Sequence, residues 1–217
     1  MGVAKWLVFP RYGFGSMAAG IVCILAMATL SGSSFLDHFL IRLSISVLLI
    51  ASVYLLSRSP KQLLVSVLLG LPTMVTNWAV LVMSNEWLVL ADHLTNVLFF
   101  TYVTWCLLQQ VFSSGQVSGD TIWGSICIYL LIGFIWSFIF GALSVLQPHA
   151  LTHISADQVS SLVYFSFVTL STLGYGDITP VTRQAQMLAF SEALMGQLYL
   201  TVLVARLVGL YHTSGKG

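Results

Sequence analysis

The chain has 217 residues, of which 58% are apolar and only 7% charged, with a formal net charge of +1. A soluble domain carries about 25% charged residues; a fold this poor in charge could not cover its surface in water, so lipid is expected to be its main solvent. The near-neutral balance also excludes the basic field that a nucleic-acid partner requires.

A bilayer core takes roughly 20 apolar residues in a helix. The spacing predicts six spans, at Phe14–Leu30, Phe35–Leu56, Gln62–Met83, Trp87–Val111, Thr121–Leu146 and Ala185–Tyr211. Lys5 and Arg11 precede the first, but it is longer than a signal-peptide core and no small-residue cleavage pattern closes it. Cys23, Cys106 and Cys127 lie in apolar stretches without metal-ligand or disulfide spacing and read as small buried hydrophobes. The hydroxyl- and glycine-rich run over residues 113–120 reads as a linker between a four-helix unit (1–112) and a helix–loop–helix unit (121–217). Between the last two spans, Ala156–Pro180 is too interrupted to cross a bilayer, and such backbone at membrane depth must be re-entrant, buried in protein or lining water. Lys5, Arg11, Arg58, Lys61, Arg206 and Lys216 fall on one side and Arg183 on the other, which predicts both termini in the cytoplasm and a re-entrant segment opening outward.

Polar residues inside the spans are conspicuous. The fourth span contains no lysine or arginine. Each charge moved through the membrane field yields only about 2.3 kcal/mol per 100 mV, so steep voltage response by this helix is not expected. It does carry Asp92 and His93, at a depth comparable to Arg42 of the second span. Arg42 is expected to pair with Asp92, with Asp37 as a competing partner. The cluster reads either as buried packing specificity or as a pH-sensitive latch, since an unperturbed imidazole titrates near neutrality. His149 and His153 lie four apart before the re-entrant segment, reading as loop residues or as a poor zinc pair lacking a third ligand.

The segment richest in chemistry is Thr172-Leu173-Gly174-Tyr175-Gly176-Asp177, after a short hydroxyl-rich helix. A dehydrated K⁺ needs a full oxygen shell, and rings of backbone carbonyls from four strands can supply it. Carbonyls point at one axis only if alternate residues take unusual backbone angles, which Gly174 and Gly176 allow at no steric cost. Thr172 can add a hydroxyl ring, Tyr175 would brace the strand from behind, and Asp177 puts a carboxylate at the mouth. The preceding helix directs its negative end at a cation, and Ser155 with Gln158 can form its capping box.

Thr-x-Gly-Tyr-Gly-Asp after such a helix, bracketed by two spans, resembles the signature of tetrameric potassium channels over about Asp120–His212, and the helix count resembles the voltage-gated-like layout. The resemblance implies an all-α membrane protein: six transmembrane helices, a re-entrant pore helix and filter loop, a voltage-gated-like ion channel fold and a homotetramer in the cell membrane. Residues 1–112 would then be a sensor-like domain lacking gating charges, and 121–217 the pore domain. No cofactor is implied beyond permeant K⁺, and the partners are lipid and further copies of the chain. Leu173 stands where the family most often has valine, Tyr164 and Phe165 where it often has tryptophan, and Val168 where some members keep a glutamate. Tyr164 can still bond Asp177.

The family's spacing carried onto the last span places Gly196 at the inner-helix hinge, or alternatively at a close helix contact. Gln197, Leu200, Val204 and Val208 would face the passage, Gln197 bonding hydrated ions or another helix and the other three forming a hydrophobic gate. Arg206 reads as an interfacial anchor. Glu192, one turn before Gly196, either bonds a pore-helix hydroxyl such as Ser166 or Thr169, or enriches cations near the cavity. An intramembrane serine protease lacks its Gly-x-Ser-Gly context here, and a haem protein would want pairs of mid-span histidines. A non-selective cation channel of the same architecture is the alternative function.

Overall fold

The computed structural model of the chain describes residues 14–15, 17–22, 35–56, 59–83, 85–113, 118–154 and 159–214. Most of the first expected span, Cys23, the side chain of Asp37, the centre of the linker and the Ser155–Gln158 cap lie outside the described residues. Six helices are named here: α1 Phe35–Leu56, α2 Pro60–Val82, α3 Glu86–Ser113, α4 Gly119–Leu146, α5 Val159–Leu170 and α6 Arg183–Ser214. They fall within three residues of the expected spans wherever both ends are described.

Among the described residues, four stretches are long and apolar enough to cross a membrane: Phe39–Leu56, Pro60–Val82, Gly119–Leu146 and Arg183–Gly209. α3 is as long as α4 but is interrupted by Glu86, Asp92, His93 and Asn96. Local chemistry sets several starts. Pro60 opens α2, where its missing N–H costs nothing. The Ser118 hydroxyl accepts the Thr121 N–H at the head of α4. The Thr182 hydroxyl accepts the Ala185 N–H at the head of α6.

α4 is the organising element, with 72% of its span buried. It packs against α3 on one side and against α5 and α6 on the other. Its interior glycines, Gly124, Gly133 and Gly141, are contact points. A Cβ on Gly133 would lie 2.6 Å from the Phe167 ring of α5, and one on Gly141 would collide with the His93 ring of α3. Phe165 of α5 meets Phe140 of α4 edge-on, with centroids 4.8 Å apart. Phe14, Met17, Ala18 and Ile21 are buried, a helical stripe, and the Cys127 thiol lies 3.3 Å from the Phe14 carbonyl.

α1, α2 and α3 share a polar seam. The Arg42 guanidinium donates to the Asn77 carbonyl at 2.9 Å and to Asp92 at 3.3 Å. The other Asp92 oxygen accepts from Thr76 and Asn96, both at 3.2 Å. Asn77 returns a bond to the Arg42 carbonyl at 3.0 Å. His93 takes no part in this network. Its ring is 3% exposed and turned toward α4, and neither ring nitrogen has a hydrogen-bond partner. Removing one member of a buried ion pair strands the other charge, at about 3–5 kcal/mol. Arg42→Gln or Asp92→Asn is therefore expected to lower thermal stability in detergent, with the double variant losing less than the two singles added. Strict additivity would show that the two groups are not coupled.

Candidate functional site: the strand after α5 and its supports

α5 ends at Leu170 and the chain continues as a short segment, here called the strand, that belongs to neither helix nor sheet. Ser171 and Thr172 close the helix with bonds to the Phe167 and Thr169 carbonyls at 3.1 and 2.9 Å. The Val168 carbonyl then accepts both the Leu173 N–H at 2.9 Å and the Gly174 N–H at 3.4 Å. Beyond this point the backbone alternates. Thr172, Gly174 and Gly176 have φ of 57°, 59° and 81°, all left-handed. Two of these positions are glycine, which takes such angles freely, and Thr172 is not. Every residue from Ser171 to Asp177 is exposed on the isolated chain.

Three supports hold this strand. The first is at its C-terminal end, where the Tyr164 hydroxyl donates to Asp177 at 2.7 Å. The loop before α5 adds a second layer there. Leu151 bridges Pro180, the Thr152 N–H donates to the Thr179 carbonyl at 2.9 Å, and the Val181 N–H donates to the Ala150 carbonyl at 2.8 Å. This pairing leaves no simple periodic signal and was not legible in the sequence. His149 and His153 lie in the same loop with positive φ, and no group of three or more metal-ligating side chains forms among the described residues.

The second support is α6. Gly196 lies so close to the end of α5 that a Cβ there would collide with the Leu170 carbonyl oxygen. The contact favours the close-packing reading of this glycine. One residue on, the Gln197 amide donates to the Thr172 hydroxyl at 3.2 Å. Leu200, Val204 and Val208 are exposed along the same helix.

The third support lies behind α5. Glu192 is fully buried and its carboxyl is 2.5 Å from the Ser166 hydroxyl, which is 2.7 Å from the Gly133 carbonyl of α4. Ser166 has one hydroxyl proton. If it goes to Gly133, the Glu192 contact needs a proton of its own, so the carboxyl is the donor and Ser166 the relay. The other Glu192 oxygen has no partner, a smaller burden on a neutral acid than on a buried charge. Tyr199 ties α6 to α4 again, donating to the Ser125 carbonyl at 2.7 Å. Near the far end of α6, the Arg206 guanidinium lies 4.4 Å over the Phe112 ring of α3, a cation–π contact between the two halves of the chain.

Residues 124–212, which hold α4 from Gly124, α5, the strand and α6 to His212, match the family model described as "Ion channel". Over 109 residues the chain is 34% identical to Protein LctB of Bacillus caldotenax, covering 46% of this chain and 78% of that protein. The chain belongs to the ion channel family. Two further relatives are named as potassium channels. The Voltage-gated potassium channel Kch of Escherichia coli (strain K12) is 27% identical over 118 residues, and Two pore potassium channel c of Oryza sativa subsp. japonica is 42% identical over 50. The chain spans only 26% and 11% of their lengths. No solved structure matches.

The Asp177 carboxylate at the end of this strand is tied to its support. The Tyr164 hydroxyl beside Asp177 holds its carboxyl below the usual carboxylate range. A group whose folded pKa is depressed contributes fully above its unfolded value, about 3.9 for aspartate, and loses that contribution as pH falls through the folded one. Tyr164→Phe is therefore expected to raise the Asp177 pKa and move inhibition of current by acid on the Asp177 side to higher pH. An unchanged midpoint would separate this bond from the acid response.

Proposed function

We propose that this chain forms a homotetrameric, K⁺-selective channel that passively conducts K⁺ through a filter made of four copies of Thr172–Gly176. The observation that carries the reading is the alternation of left-handed backbone at Thr172, Gly174 and Gly176. Alternation of this kind is what lets successive carbonyls face one side of a strand, as a ring-forming ion ligand requires.

The unpartnered surface of α6 supports assembly of several copies. Only 11% of its span is buried, and Gln197 and Thr201 are exposed along it. Lipid is a costly environment for such groups, so this face belongs against other copies and a water-filled passage. Leu200, Val204 and Val208 would line the lower part of that passage as an apolar gate. In the full reading six spans cross the cell membrane, with α3 as the fourth, both termini are cytoplasmic and the filter opens outward. The absence of lysine and arginine from α3 supports weak voltage dependence.

Reversal potential across a planar bilayer with K⁺ on one side and Na⁺ on the other tests the reading. A potential far from zero, in the direction set by K⁺, is expected of the purified chain. A potential near zero would replace K⁺ selectivity with non-selective cation conduction.

A further inference from the structure

At the inner end of the filter the geometry asks more of Thr172 than an ordinary strand position does. Its hydroxyl lies 2.7 Å from the Ser171 carbonyl and donates its one proton there. What remains on Oγ1 is acceptor capacity, and one lone pair receives the Gln197 amide at 3.2 Å. Gln197 reaches it because Gly196, the residue before, lets α6 touch the Leu170 carbonyl. Thr172 also holds a φ of 57° without being glycine, so two hydrogen bonds fix a side chain on a strained backbone.

We propose that Gln197 sets how tightly a cation sits at the innermost ring of the filter. The inference rests on the potassium-filter reading and deepens it. An amide N–H bound to Oγ1 places partial positive charge beside that oxygen and occupies one of its lone pairs. A cation approaching the Thr172 ring therefore meets a weaker ligand than an unencumbered hydroxyl, and in four copies the effect is repeated around the axis. The consequence for conduction is faster exit toward the cavity, because an ion held too strongly at one ring does not leave. Gln197 is thus a positioning residue that acts through Thr172.

Barium is a suitable probe because it has nearly the size of K⁺ and twice its charge, so its affinity reports the local field. The full chain is reconstituted in planar bilayers in K⁺, and barium is added on the side of the α6 C-terminus. Gln197→Leu removes the donor at similar volume and is expected to tighten barium block by roughly tenfold, the equivalent of one net hydrogen bond. Gln197→Glu, which replaces the donor with a carboxylate, is expected to tighten it further. Unchanged or weaker block in both variants, with K⁺-selective current retained, would overturn the role given to Gln197. Loss of K⁺ selectivity in the unaltered chain would instead overturn the filter reading beneath it. If Gln197→Leu fails to assemble, Gln197→Met carries the same expectation.

Discussion

A strand that alternates into left-handed backbone is not a conformation a chain holds unaided. Glycine removes the steric cost at Gly174 and Gly176, but glycine also carries the greatest freedom to leave. Thr172 adds strain of its own. Rigidity must therefore come from outside the strand, and the surrounding structure answers that demand. The Val168 carbonyl pins the strand's start, Tyr164 pins its end through Asp177, and Gln197 pins the Thr172 hydroxyl.

These supports are themselves anchored in a relay. α5 is keyed into α4 by Phe167 over Gly133, and by the Ser166 bond to the Gly133 carbonyl. Glu192 of α6 joins the same point through Ser166. α4 in turn is keyed to α3 by His93 over Gly141, and α3 is held to α1 and α2 by Asp92 and Arg42. The leading helices thus pack on the ion-channel half of their own chain. Arg206 over Phe112 makes a second link near the opposite end of α6. Movement of α1–α3 relative to α4 has a route to the strand through packed rings and hydrogen bonds, although no helix among them carries a ladder of gating charges.

How much of this was legible in the sequence depends on the range of the interaction. Apolar runs of membrane length located the helices to within three residues, because lipid imposes a length that composition reveals. Gly174 and Gly176 identified the strand that needs unusual angles. The left-handed Thr172 was not legible, because threonine disfavours that region and only the Ser171 and Gln197 bonds reveal what holds it there. For Gly196 the sequence left a hinge and a contact open, and the Leu170 carbonyl favours the contact. Gly133 and Gly141 were missed as notches, although three glycines in the interior of one apolar helix (the third being Gly124) are a detectable signal for close neighbours. The pairing of Leu151 with Pro180 depends on two loops meeting in space, and no local pattern encodes it.

The central claim is geometric: copies of one strand surround an axis and offer their oxygens to bare cations. Anomalous scattering from crystals grown in a rubidium or thallium salt tests it most directly. The account predicts a row of peaks on a fourfold axis, spaced along the carbonyls of residues 172–176. Peaks absent from any shared axis, or an assembly without fourfold symmetry, would contradict it.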